Sequence, residues 1–188
     1  MTHSNNPKNA IIVRSASELR EWLKTNGERD AGVWIVSFKK EHEDFVSYGD
    51  IRDEALCFGW VDSKSDAVDE NRTAVWLSPR RKGSPWSGVN KERVVVLRRS
   101  GRMTSRGERA IEQAKEEGSW SILDDASALI VSDDLAQAME QAGVRAEYDK
   151  LAPSKQRSML EGIALAKTNK TREARINRIV RECQVSGG

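Results

Sequence analysis

Two strand-like runs joined by a tight polar turn constrain this chain more than any other feature. Trp60 to Val68 and Arg72 to Ser78 read as strands, and Asp69-Glu-Asn71 between them has the composition of a hairpin turn. The segments around this hairpin are punctuated as helices. A lone hairpin cannot bury its own apolar face, so helices must cover it, and the fold class is α+β.

The helical signals are local and repeated. Ser15-Ala-Ser-Glu18 is a capping-box pattern, and Leu19, Trp22 and Leu23 follow at i, i+3 and i+4, which predicts a helix from about Ala16 to Asn26. Val33-Trp-Ile-Val-Ser-Phe38 is β-branched and aromatic and reads as a third strand. Ser47-Tyr-Gly-Asp50 opens a second helix with Ile51, Ala55 and Phe58 on one face, and Gly59 ends it. Ser87 can cap a helix from about Gly88 to Arg99, and Ser105-Arg-Gly-Glu108 opens another that runs to Glu117. The last third is helical, ending in Ile176, Ile179, Val180 and Cys183 at i, i+3, i+4 and i+7, with Arg178 and Arg181 opposite that stripe. The expected architecture is a mainly antiparallel sheet of about three strands flanked by helices over residues 15–120. A helical C-terminal subdomain over 125–185 packs on it, and a flexible tail precedes it over 1–14.

Composition narrows the function classes. With 188 residues, 38% hydrophobic and 32% charged, the chain suits a globular protein. No apolar run reaches the ~18–20 residues of a membrane helix, and Met1 to Ala10 lacks the apolar core of a secretory signal. A cytoplasmic protein without membrane insertion is expected. Cys57 and Cys183 each sit in an apolar helical pattern and read as buried thiols. His3 and His42, the two histidines, give little support to a zinc centre or a Ser-His-Asp triad. No metal or cofactor is expected.

Charge is segregated although the net is only +2. Residues 1–79 hold 10 Lys/Arg against 14 Asp/Glu (−4), residues 80–110 hold 10 against 2 (+8), residues 111–149 hold 2 against 10 (−8), and residues 150–188 hold 9 against 3 (+6). Such blocks either neutralise one another or present an oriented field to a partner.

Chemistry concentrates between Trp60 and Arg93. Strict alternation places Trp60, Asp62, Lys64 and Asp66 on one face of the first hairpin strand. Arg80, Trp86, Asn90 and Arg93 follow in a Gly/Pro-containing basic loop and the helix it feeds. Asn90 and Arg93 are three apart and so share a helix face. Trp60 and Trp86 could form a stacking wall beside cations that hold a phosphate or carboxylate. The candidate ligand-binding set is therefore Trp60, Asp62, Lys64, Arg80, Trp86, Asn90 and Arg93, and the same residues would equally serve as a structural network. Arg178 and Arg181 are the candidate partner-binding pair.

The chain resembles the YdeI/OmpD-associated family, also called bacteriocin-protection proteins. The residues that carry the resemblance are Glu54-Ala-Leu-Cys-Phe-Gly-Trp-Val-Asp-Ser-Lys64, Ser84-Pro-Trp-Ser-Gly-Val-Asn-Lys-Glu-Arg93 and Gly101-Arg-Met-Thr104. Leu151-Ala-Pro-Ser-Lys155 and Ala166-Lys-Thr-Asn-Lys-Thr-Arg172 add to them, so that the likeness spans nearly everything after Ser15. It implies a link to the bacterial envelope and to resistance against antibacterial peptides or proteins, and it brings no catalytic residues with it. The expected function is a non-catalytic binding or adaptor protein of envelope stress resistance with a cationic-aromatic anion-binding region. Two alternatives stay open. One is a nucleic-acid-binding protein, suggested by the basic blocks. The other is a metal-independent enzyme acting on an anionic small molecule, suggested by Asp62 beside Lys64.

Overall fold

The computed structural model describes residues 7–186. It divides into two compact units, one holding the chain to Ser84 together with Val89–Glu117, the other holding Pro85–Gly88 and the chain from Gly118 onward.

The first unit is built on a four-stranded sheet in the order β1-β2-β4-β3, with β1 at Ile11–Ile12, β2 at Val33–Phe38, β3 at Trp60–Ala67 and β4 at Arg72–Pro79. The hairpin forms where the sequence places it, and β2 joins it antiparallel, Val33 opposite Leu77 and Ile35 opposite Val75. The fourth strand corrects the expected flexible tail. Ile11 and Ile12 pair in parallel with Ile35 and Val36, and the Val13 amide donates to the Val36 carbonyl at 2.9 Å. Three consecutive β-branched residues, Ile11-Ile-Val13, suit an edge of the sheet. The first six residues of the expected tail lie outside the described residues.

The helices of this unit are α1 (Ala16–Asn26), α2 (Tyr48–Cys57), α3 (Gly88–Arg99) and α4 (Ser105–Glu116). Ser15 caps α1 by accepting the Glu18 amide, and Ser47 caps α2 by accepting the Asp50 amide. Leu19 and Leu23 of α1 are buried, as are Ile51, Ala55, Leu56 and Cys57 of α2. α2 packs on α1, on β3 and on α4. Val33, Ile35, Val75, Leu77 and Trp60 are buried on one face of the sheet. On the other, Val36, Val68 and Ala74 form a small second core closed by Ala10, Ile12 and Trp34.

The second unit is helical: α5 (Asp124–Ser127), α6 (Asp133–Ala142), α7 (Arg145–Asp149), α8 (Pro153–Ala164) and α9 (Asn169–Ser186). Its core joins Leu135, Met139, Val144, Tyr148, Met159 and Ile163 to the stripe of α9. Ile176, Ile179 and Cys183 of that stripe are buried, and Val180 lies half-buried at its edge. Gly143 ends α6 in the left-handed conformation at φ 66°. Trp86 is also buried, its ring 5.0 Å from that of Trp120. Nearby, Leu123 is fully buried, whereas Trp120 is half-buried and Ile122 is 41% exposed.

Candidate functional site

The motif around Glu54 builds a buried ionic joint. Asp53 and Glu54 lie on the inner side of α2 and are almost wholly removed from water. Glu54 accepts hydrogen bonds from Arg20 Nη1 and Arg102 Nη2, both at 2.7 Å, and Arg20 Nη2 also donates to the Arg102 carbonyl at 2.7 Å. Asp53 is held by Arg93 through Nε at 3.1 Å and Nη2 at 2.5 Å, and by Arg52 at 3.2 Å. Buried carboxylates persist only when paired in this way. Thr104 fixes the joint to α4. Its amide and hydroxyl both donate to the Cys57 carbonyl, at 3.1 and 2.6 Å, while its Oγ1 accepts the Gly107 amide as the helix cap. Burial pushes the Cys57 thiol up from its ordinary pKa. Asp53 and Glu54 are not among the candidate site residues that the sequence suggests. Their signal was visible, because Glu54 stands three residues after Ile51 and so falls on the apolar face of α2.

The candidate residues between Trp60 and Arg93 do not form one site in the first unit. A register shift between Asp62 and Lys64 sets Asp62 opposite Leu77 and Lys64 opposite Trp76. Leu77 and Trp76 point to opposite faces of β4, so the expected shared face of Trp60, Asp62, Lys64 and Asp66 is broken after Asp62. Lys64 and Asp66 are exposed on the face that carries Trp76, whereas Asp62 accepts the Tyr48 hydroxyl at 2.5 Å. Burial first, and then the bond to Asp62, push the Tyr48 phenol up to about 12. Arg93 is drawn to Asp53, and Asn90 is half-buried on the same helix. Arg80 is half-buried at the end of β4, and burial pulls its guanidinium down to about 10. Trp86 belongs to the helical unit.

Trp60 is only 1% exposed, with its indole N–H bonded to the Gly27 carbonyl at 3.2 Å and its ring edge-on to Trp22. It closes the back of an open cleft of about 310 Å³ whose other walls include Phe58, Pro79, Arg106, Arg109 and Gln113. Neither Asn90 nor Arg93 lines this cleft. Gly59 makes the close approach of α4 feasible: its φ is 74°, and a Cβ there would come within 3.0 Å of the Ala110 side chain. Arg106 is tied to Glu28 at 2.8 Å, whereas Arg109 is exposed and makes no ion pair among the described residues.

In the helical unit, α8, α9 and the turn before α8 enclose a groove of about 400 Å³. Leu151, Met159 and Cys183 give it an apolar floor, and Val185 stands at its lip, 84% exposed. Lys155, Arg178 and Arg181 line it with positive charge. Glu182 meets two of these, Lys155 at 2.9 Å and Arg178 at 3.7 Å, and Lys155 holds its carboxyl below the ordinary value. Arg181 is exposed and makes no ion pair among the described residues. The two arginines singled out from sequence thus share one concavity. No described helix is long and apolar enough to cross a membrane.

A four-stranded sheet locked to its helices by a buried arginine–carboxylate joint, together with a helical unit bearing a cationic groove, defines a two-unit α+β protein. The chain belongs to the family described as Domain of unknown function (DUF8412), whose model matches residues 11–110, just over half of its length. Residues 128–184 match the family described as Bacteriocin-protection, YdeI or OmpD-Associated, in keeping with the resemblance read from the sequence. That second match is narrower than the resemblance suggested. It takes in the motifs at 151–155 and 166–172, whereas those at 54–64, 84–93 and 101–104 fall in the first. No curated protein and no solved structure matches.

Proposed function

We propose that this is a non-catalytic binding protein of bacterial bacteriocin or envelope-stress resistance, acting in the cytoplasm, and that it meets an anionic partner on the groove of its helical unit. The observation that carries the reading is the convergence of Lys155, Arg178 and Arg181 around an apolar floor. Matched charge around a desolvated centre is the usual build of a recognition surface. The groove lies largely within the stretch that matches the bacteriocin-protection family, which gives loose support to the biological role. The cleft at Trp60, with Arg109 at its mouth, supplies a second, smaller anion contact in this reading.

The test is bacterial survival. Cells expressing the protein and challenged with a bacteriocin should outlive cells without it. The double substitution Arg178→Glu with Arg181→Glu should abolish that gain while leaving the melting temperature nearly unchanged, because both side chains are exposed. Full protection by the charge-reversed protein would remove the groove from the function.

A further inference from the structure

We propose that the groove between α8 and α9 receives an acidic amphipathic helix of a partner protein, and that Glu182 is a built-in competitor which this helix displaces. The proposal rests on the reading above and gives the partner a chemistry.

Three features of the groove point to a helix. Its walls are themselves helices, so a third helix can lie along them with side chains interdigitated. Arg178 and Arg181 are three residues apart on α9, which sets them ~4.5 Å apart along the axis. Carboxylates at i and i+3 of a facing helix have the same spacing and can meet both arginines together. Val185, 84% exposed beside the apolar floor, is a large hydrophobic side chain left to water next to the place where an apolar stripe would seat. The occupant that satisfies rim and floor at once carries Leu or Phe on one face and Glu or Asp beside it.

Glu182 sets the threshold for that occupant. It lies among the three cations and holds Lys155 and Arg178 in the free protein. An incoming carboxylate must take those partners from it, whereas Arg181 is already open to the first contact. The groove therefore selects against single weak anions and in favour of a ligand that brings several carboxylates and an apolar stripe together.

The experiment uses the full chain and a fluorescent peptide of about three heptads, with Leu at i, i+3, i+4 and i+7 and Glu elsewhere. Fluorescence anisotropy reports binding, and far-ultraviolet circular dichroism confirms that each variant keeps its fold. The striped peptide should bind, and its counterpart with Lys in place of Glu should not. Arg181→Glu should weaken binding about tenfold, Arg181→Lys should retain most of it, and Val185→Ser should weaken it several-fold. Glu182→Gln should tighten binding about threefold, because the competing charge is gone. A scrambled peptide of the same composition separates the two readings. If it binds as tightly as the striped one and Arg181→Glu weakens both, the amphipathic helix is wrong and the anionic partner stands. If Arg181→Glu changes neither, both readings fall. Weaker binding by Glu182→Gln would overturn the competitor role. Binding of a single-stranded DNA oligonucleotide in place of the striped peptide would assign the surface to nucleic acid.

Discussion

Tyr48 and Asp62 show how a single contact records its surroundings. Tyr48 is 51% exposed, yet its hydroxyl is committed to a carboxylate at 2.5 Å. Burial and this bond raise the folded phenol to about 12, above its ordinary value of about 10. The folded chain therefore keeps this proton to higher pH than the unfolded chain. The contribution to stability is complete below about pH 10 and is lost as pH rises toward about 12. NMR titration of the Tyr48 ring should show little ionisation at pH 10, and Asp62→Asn should shift the midpoint down. An unchanged midpoint in that variant would show that Asp62 does not hold the phenol. Trp60 gives the opposite lesson at this scale. It could have formed a stacking wall with Trp86 or served a structural network, and its indole is bonded and sealed, because the end of α1 offers it the Gly27 carbonyl and the Trp22 ring.

At the scale of elements, the α2–β3 turn and α4 form one joint in which space is the controlling quantity. Gly107 sits on α4 with the Cys57 carbonyl 2.5 Å from where a Cβ would stand and the Met103 methyl 2.7 Å away. Replacing a helical glycine by alanine ordinarily stabilises by about 0.5–1 kcal/mol. Gly107→Ala should instead destabilise by about 1–3 kcal/mol, since the methyl group must push back a backbone carbonyl. Gly162→Ala in α8, where nothing lies within 4 Å of the added carbon, should show the ordinary gain. Urea unfolding of both variants checks the pair, and equal signs would contradict the packing account. The same joint draws together Glu54, Gly59, Arg102 and Thr104, which come from two of the segments that carry the family resemblance. Arg102 clamps Glu54, Thr104 reaches Cys57, and Gly59 admits α4.

For the whole molecule, the segregated charge is met in part by pairs within each unit. In the helical unit Asp134, from the −8 block, takes two bonds from Arg172, of the +6 block, at 2.6 and 2.9 Å. That pairing holds the Asp134 carboxyl well below the usual carboxylate range. In the first unit Arg98 grips Glu108 through Nε and Nη2, one edge of its guanidinium. These pairs are partly exposed, and screening shortens their reach to ~8–10 Å at moderate salt. Thermal melts should shift to lower temperature as sodium chloride rises from low to physiological strength. A melting temperature that does not respond would mean the blocks contribute nothing to folding.

Much of the fold was legible in the chain itself. Caps, turn residues and periodicity are local, so Ala16–Asn26, Gly88–Arg99 and the hairpin stand where the sequence puts them. The α9 stripe and the solvent-facing Arg178 and Arg181 follow from helix periodicity alone. The site was less legible, because its determinants are not local. One extra residue in β3 separates Asp62 from Lys64, and no alternation pattern registers a bulge that only pairing with β4 defines. Arg93 is taken by Asp53, forty residues earlier in sequence, and Ile11–Ile12 becomes a strand only because β2 offers a free edge. The sequence by itself determined which segments are helix or strand and which side chains carry charge. Tertiary packing decided which of those charges remain available to a partner, because a charge pairs with whatever the fold brings within reach, however distant in sequence.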